Sequence, residues 1–419
     1  MGLLAVTYSA TTADGQRVQW RDGKRLAWLL SVVYPRVPLV GVALHALTGK
    51  PAMLAAPLVI GYGLMPLLDA LIGEDRNNPP EVVVPQLEAD TYYRWLTWLS
   101  VPLYFLTLIV CAWWAGTQAL PWWAFVILAY AAGANSGMGL TTGHELGHKH
   151  NAFEQWLAKL ILAVPAYGHF TVEHGRGHHR WVSTPEDHAS ARMGESIYRF
   201  ALRELPGGMR RAWALESQRL MSLGFSPWNR RNTMLQSYAV SAVLQLGLIA
   251  AFGPAMIVFL AIHNAVAWWQ LTSANYVEHY GLLRAKQANG EYEPPQPRHS
   301  WNTNHLVTNL ALFHLQRHSD HHANPSRRYQ SLRHFPDLPQ LPSGYFGVFT
   351  MAYFPRWWFR VMDARLLALP HVQGDLGKVN VDPRARSRLE GPRSPGRAGT
   401  SCRRPPWRRA RPRRPRPGW

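Results

Sequence analysis

With 419 residues, a formal charge of +19 and only two cysteines, Cys111 and Cys402, the chain has neither a disulfide framework nor the paired cysteines of a zinc ribbon or iron–sulfur cluster. Hydrophobic residues make up 47% of it, with 19 tryptophans, yet the mean hydropathy is −0.17. Very apolar stretches must therefore alternate with very polar ones, which excludes a string of soluble domains and points to a polytopic membrane protein. Much of the charge lies at the end: from Pro383 onward there are thirteen arginines against one acid, Glu390, so the total is no argument for a nucleic-acid partner and none is expected.

Three regions are expected: a polar cytoplasmic segment 1–25, a membrane domain 26–380, and a Pro/Arg-rich tail 381–419 without apolar periodicity that should be disordered. The first region ends in Arg17, Arg21, Lys24 and Arg25 and shows no cleavable signal peptide, so the first apolar span is expected to act as its own insertion signal. Six spans follow at 26–47, 51–72, 95–115, 122–142, 234–252 and 256–276. Each approaches the roughly twenty residues that cross a bilayer core. The first holds Pro35, Arg36 and Pro38 near its middle, and an arginine there must snorkel, pair or face a polar cavity. Gly133, Gly137 and Gly139, with Ala134 and Ser136, mark the fourth span for close helix packing.

The loops give the orientation. Thr48-Gly49-Lys50, Gly116-Thr117-Gln118 and Gly253-Pro254 contain one basic residue between them, whereas the other side carries Lys24, Arg25, Arg76, Lys149 and the arginine-rich stretch 199–231. By the positive-inside rule that second side is cytoplasmic, and both termini with it. The fold class expected is an all-α integral membrane protein, six spans under a cytoplasmic helical cap.

Four histidine stretches fall on that cytoplasmic side: His144-Glu145-Leu146-Gly147-His148, Glu173-His174-Gly175-Arg176-Gly177-His178-His179, Asn275-Tyr276-Val277-Glu278-His279 and His318-Ser319-Asp320-His321-His322. On helices, His144 and His148 share a face at i,i+4, His174 and His178 repeat the spacing, and His318 faces His321 and His322. One metal takes about three to five side chains, so nine converging imidazoles suggest two metal ions with little carboxylate help. Imidazole alone does not choose among zinc, copper, nickel and iron. The first stretch also fits His-Glu-x-x-His, the pattern of zinc proteases, and a metal transporter is a second alternative. A protease would leave seven histidines unused, and transporter sites lie at mid-membrane instead of at helix ends.

These stretches, read as His144-Glu145-x-x-His148-Lys149, Glu173-His174-x-x-Gly177-His178-His179, Asn275-Tyr276-x-Glu278-His279-Tyr280-Gly281 and Leu315-Gln316-Arg317-His318-Ser319-Asp320-His321-His322, resemble the histidine boxes of the integral-membrane alkane monooxygenases. The first, second and last are shared with acyl desaturases and xylene monooxygenase, and the stretches at 275–281 and 315–322 are those of the alkane branch. The resemblance covers about 26–353, including Asp69 and Gly73-Glu74-Asp75-Arg76-Asn77-Asn78-Pro79. It implies a non-haem di-iron centre of two Fe ions held by His144, His148, His174, His178, His179, His279, His318, His321 and His322. It further implies O2 as co-substrate and a medium-to-long linear alkane hydroxylated to its 1-alkanol, in a bacterial inner membrane. Family members take electrons from rubredoxin, reduced by NAD(P)H through rubredoxin reductase. Two cysteines agree with an external donor, and a tail with Cys402 alone is not a fused rubredoxin.

Carboxylates are expected to orient the rings, with Glu145, Asp69 and Glu278 as the leading candidates beside Glu173 and Asp320. Tyr62, Leu64, Trp113 and Phe125 are guesses for the substrate channel. The basic face at Arg203, Arg210, Arg211, Arg327, Arg328 and Arg333 could receive an acidic electron carrier. His314 and His169 are expected to be structural or to support the ligands. The rival reading within the same superfamily is a fatty-acyl or aromatic-side-chain hydroxylase or desaturase.

Overall fold

The computed structural model describes residues 6–390, so most of the Pro/Arg-rich tail expected at 381–419 lies outside the described residues. Six long apolar helices form the body: Ala27–Thr48, Pro51–Ile72, Thr91–Thr117, Trp122–Gly147, Thr233–Phe252 and Ala255–Glu278. Their ends follow local chemistry. Asp90 caps the third by accepting from the Tyr92 amide at 2.9 Å, and Asn232 caps the fifth by accepting from Met234 and Leu235. Gly253, at φ +84°, takes the left-handed turn that ends the fifth span and allows the sixth to start two residues later. The third and fourth spans run longer than hydropathy suggests, because a helix continues through polar residues while its backbone bonds last.

The prolines of the first span have a visible consequence. Pro38 lacks the amide that would serve the preceding turn, and the span passes through a 3-10 turn at Tyr34–Arg36. The Pro35 carbonyl accepts instead from Thr107 Oγ1 at 2.6 Å and Asn135 Nδ2 at 3.0 Å, tying the kink to the third and fourth spans. Arg36 is exposed and makes no ion pair among the described residues, which leaves snorkelling as its means of reaching water.

Glycines in the fourth span let it press against the sixth. A Cβ on Gly133 would lie 2.5 Å from the His263 carbonyl oxygen, and one on Gly137 2.5 Å from Gln270 Cβ. A second core cluster joins the lower half of the sixth span to Tyr345–Ala352 and Pro355–Leu367, through Tyr276, Tyr280, Phe349 and Trp358.

One element is not helical. Thr7–Thr11 and Arg17–Arg21 pair as an antiparallel hairpin around Asp14-Gly15, with Gly15 at φ +85°. It packs with Trp28, Leu87, Tyr93 and Tyr329 on the side that carries the histidine stretches. The boundary drawn at residue 381 falls inside packed structure: Val381 bridges to Met193, and Arg199 Nη1 donates to Asp382 at 2.6 Å.

Candidate metal centre

Each histidine stretch occupies the end or turn of a helix. His144 sits in the last turn of the fourth span, and His148 closes it. His279 closes the sixth span in the same way. Glu173–His178 forms a π-helical turn between short α-helical pieces, a geometry that recurs at functional sites. His318, His321 and His322 share the short helix His318–Ala323.

The nine rings gather into two groups in which the nitrogen atoms offered by the residues all lie within 4.8 Å of one another. One group is His144, His148, His174, His179 and His321; the other is His178, His279, His318 and His322. His179 Nε2 lies 3.0 Å from His174 Nε2 and 3.2 Å from His321 Nε2. In the second group His318 Nε2 lies 3.1 Å from His279 Nε2 and 2.9 Å from His322 Nε2. Ligand nitrogens at about 2.0–2.1 Å from a shared ion stand roughly 3 Å from each other, so these separations fit metal coordination. The Nε2 atoms of His144, His148 and His178 are buried and have no hydrogen-bond partner among the described residues, which again fits metal-binding nitrogens.

Burial and mutual repulsion hold His148, His174, His179, His318, His321 and His322 well below the ordinary histidine range, and burial brings His279 to about 3. These rings are neutral at pH 7, the form in which imidazole binds metal. His178 differs. Burial pulls it down, but Asp187 outweighs that and raises its proton affinity, with Asp187 Oδ2 2.8 Å from His178 Nδ1. Asp187 is buried, accepts from Ser190 Oγ at 2.6 Å and from Arg211 Nη2 at 2.7 Å, and is held well below the usual carboxylate range, burial being outweighed by His178 and Arg211. His279 Nδ1 is held at 2.9 Å from the His299 carbonyl oxygen, to which it donates. Both contacts fix the ring so that Nε2 faces its group.

The acids nearest in sequence are placed differently. Glu145 pairs with Lys149 at 2.9 Å and accepts weakly from the Tyr329 amide, and Asp320 is held by Arg333 at 2.8 Å. Asp69 accepts from the Thr308 amide at 3.0 Å and from the Thr308 hydroxyl, and Glu173 pairs with Arg211. None of these four has an imidazole hydrogen-bond partner. Glu278 does approach one: Oε2 is 3.4 Å from His318 Nε2, and Oε1 accepts from Tyr345 Oη at 2.8 Å. His314 lies outside both groups, donating from Nδ1 to the Tyr329 carbonyl at 2.9 Å, and His169 bonds Tyr238 Oη at 2.8 Å.

A narrow cavity opens beneath the rings, with His144, His174, His318 and Glu278 at one end and Met138, Leu140, Leu271, Ala274, Leu312, Leu315 and Phe349 along its walls. A second narrow cavity shares Met138 and Gln270 with it and reaches Tyr62 and Pro57 between the first, second and fourth spans. Of the four channel guesses only Tyr62 lines either cavity, the second, where its hydroxyl accepts from Gln270 Nε2 at 2.7 Å. Leu64 and Trp113 are exposed on the outside, and Phe125 meets Phe259 edge to face.

Comparison with known proteins decides the family. The Fatty acid desaturase family model matches residues 120–352, more than half of the chain. Alkane 1-monooxygenase 1 of Alcanivorax borkumensis is 52% identical over 378 residues, covering 90% of this chain and 93% of the relative. The chain belongs to the alkane 1-monooxygenases. Alkane 1-monooxygenase of Pseudomonas putida is 53% identical over 369 residues, 88% of this chain and 91% of that protein. The xylene/toluene monooxygenase hydroxylase component XylM of Pseudomonas putida is more distant, at 28% over 224 residues, 53% and 59% of the two chains.

Within this family member, Asp187, the His299 carbonyl and Arg317 are the site features that sequence reading missed. Arg317, buried one residue before His318, donates to the carbonyls of Leu332 at 2.7 Å and Asp75 at 2.8 Å, which explains the presence of the 73–79 segment beside the last histidine stretch. The signal available for Asp187 was only its place nine residues after His178, in a loop with no motif.

Proposed function

We propose that the protein is a membrane alkane 1-monooxygenase that converts a medium-to-long linear alkane to its 1-alkanol, with the nine histidines holding two iron ions. The observation that carries this reading is the pair of converging histidine groups at the end of an apolar cavity. An alkane has no polar handle, so its recognition must rest on the shape of such a cavity. An iron pair bound there would supply dioxygen activation and the oxidising power that a terminal C–H bond demands.

The chain's own residues do the rest. Met138, Leu271, Leu312 and Phe349 exclude water and direct a methyl carbon toward His144, His174 and His318. Asp187 and the His299 carbonyl keep the Nε2 atoms of His178 and His279 facing the second group. No lysine or arginine lines the cavity, which favours a plain hydrocarbon over a substrate with a carboxylate to neutralise.

Dioxygen supplies one atom to the alcohol and one to water, and the two electrons required come from rubredoxin, itself reduced by NAD(P)H through rubredoxin reductase. The basic loops support a bacterial inner-membrane location with the histidine face and both termini in the cytoplasm. The test is metal analysis of protein purified from membranes, followed by product analysis with octane, rubredoxin, its reductase and NADH. Two irons per chain and 1-octanol are expected. A single zinc, or an alkene as product, would overturn the reading.

A further inference from the structure

Insertion of one oxygen atom into a C–H bond leaves the other to be reduced to water at the expense of two electrons and two protons. Among the described residues the two histidine groups are the metal-ligating clusters found, and Cys111 is a single buried thiol within the third span. The electrons must therefore arrive on a carrier that docks where the histidines come nearest to water.

That place can be located. His179 is half-buried and its neighbour Arg180 is exposed. Arg284, buried, donates to the Arg180 carbonyl at 2.8 Å and to the Glu293 carbonyl at 2.6 Å. It thereby ties the backbone next to His179 to the floor of a surface depression of about 510 Å³, lined by Arg284, Lys286, Tyr292, Arg298, His371 and Lys378. From the same floor Glu293 Oε1 lies 3.3 Å from His299 Nε2, and the His299 carbonyl accepts from His279 Nδ1 at 2.9 Å. Short contacts thus lead from one depression to the backbone beside His179 in one group and to His279 in the other.

Its charge is positive and available. Glu293 is held by Arg298 at 2.6 Å, whereas Lys286 and Lys378 are exposed and have no carboxylate partner among the described residues. The basic face read from sequence is different in kind. Arg203, Arg211, Arg327, Arg328 and Arg333 are each engaged by Glu195, Glu173, Glu81, Glu154 or Asp320, so little of their field is left for a partner.

We propose that this depression, with Lys286, Lys378 and Tyr292 in its lining, is the docking surface for a small acidic protein that carries one electron at a time. The inference rests on the monooxygenase reading above. Two reduced carriers in turn are each oxidised by one electron. Those two electrons, with two protons from water, reduce one atom of dioxygen to water as the other enters the C–H bond.

The test uses the full chain in lipid nanodiscs and, as probe, a reduced rubredoxin of net negative charge. Binding and the rate of rubredoxin oxidation are measured at two salt concentrations for the wild type, K286E/K378E, and R210E on the face that sequence alone suggested. The double variant is expected to slow association about tenfold or more and to flatten its salt dependence, while R210E matches the wild type. Alkanol formed in a single turnover driven by dithionite and a viologen mediator is expected to be equal in all three. Rubredoxin oxidation by the double variant at the wild-type rate, equal slowing by R210E, or no binding to the wild type would overturn the docking surface. Absence of alkanol from the chemically reduced wild type would instead overturn the monooxygenase reading, so the two failures are distinguishable.

Discussion

Replacement of Asp187 by asparagine tests the contact that sequence did not reveal. Asp187 accepts on both oxygens: Oδ2 from Ser190 Oγ at 2.6 Å, with His178 Nδ1 at 2.8 Å, and Oδ1 from Arg211 Nη2 at 2.7 Å. Asparagine keeps the shape but turns one acceptor into a donor. Whichever way the amide is oriented, its NH2 group meets either the His178–Ser190 pair or Arg211, so a donor faces a donor. A hydrogen bond to a charged group contributes about 1.5–3 kcal/mol, and loss of a carboxylate behind a metal-binding histidine typically costs 10–100-fold in affinity, figures that agree at about 2 kcal/mol. The assay is iron retained per chain after dialysis against graded chelator, with the melting temperature of the same samples. D187N is expected to lose iron at ten- to a hundredfold lower chelator concentration. Equal retention by D187N and wild type would refute the claim that Asp187 holds His178 for the metal.

Other outcomes follow from the same contacts. Glu204, buried beneath Thr272 Oγ1 at 2.8 Å and Asn275 Nδ2 at 3.1 Å, is pushed up to about 7 by burial. Its folded value lies above the unfolded one, so its contribution is intact below about pH 4.5 and is lost as pH rises through about 7, a change on the order of 3 kcal/mol. E204Q should therefore flatten stability across that window, as read by thermal melting from pH 5 to 8. H321A should abolish iron binding, whereas H314A, which removes a ring packed edge to face with Trp28 at 4.6 Å between centroids, should lower stability by about 2–4 kcal/mol and leave iron content unchanged. G133A, whose new methyl would lie 2.5 Å from the His263 carbonyl, should lower the melting temperature through the fourth and sixth spans, since backbone cannot swing aside as a side chain can.

The six spans were legible because about twenty apolar residues in a row have few other uses, and the histidine stretches because i,i+4 spacing is a local signal. The N-terminal hairpin had its own signal, Asp14-Gly15 between alternating residues, but five-residue strands carry little weight beside helices four times as long. Glu145 and Asp320 lie away from the rings for a geometric reason. A residue next to a ligand on a helix lies about 100° around the axis, so Glu145, beside His144, faces Lys149 four residues on, and Asp320 faces Arg333. Asp187 and the His299 carbonyl reach their rings from loops, 9 and 20 residues away, and leave no periodic trace.

The distribution of charge around the rings has a physical logic. Neutral imidazoles can be buried together without an ionic desolvation cost, whereas each buried carboxylate needs compensation. Glu145 has Lys149, Glu173 and Asp187 share Arg211, and Asp320 has Arg333, so these acids are held in a frame of ion pairs around the site. Glu278 is the exception among the acids beside the histidines. It lines the cavity, meets His318 and Tyr345, and has no lysine or arginine partner among the described residues. A positive metal pair would be the compensation it lacks, and the acid adjoining the apolar cavity is the one left outside the frame.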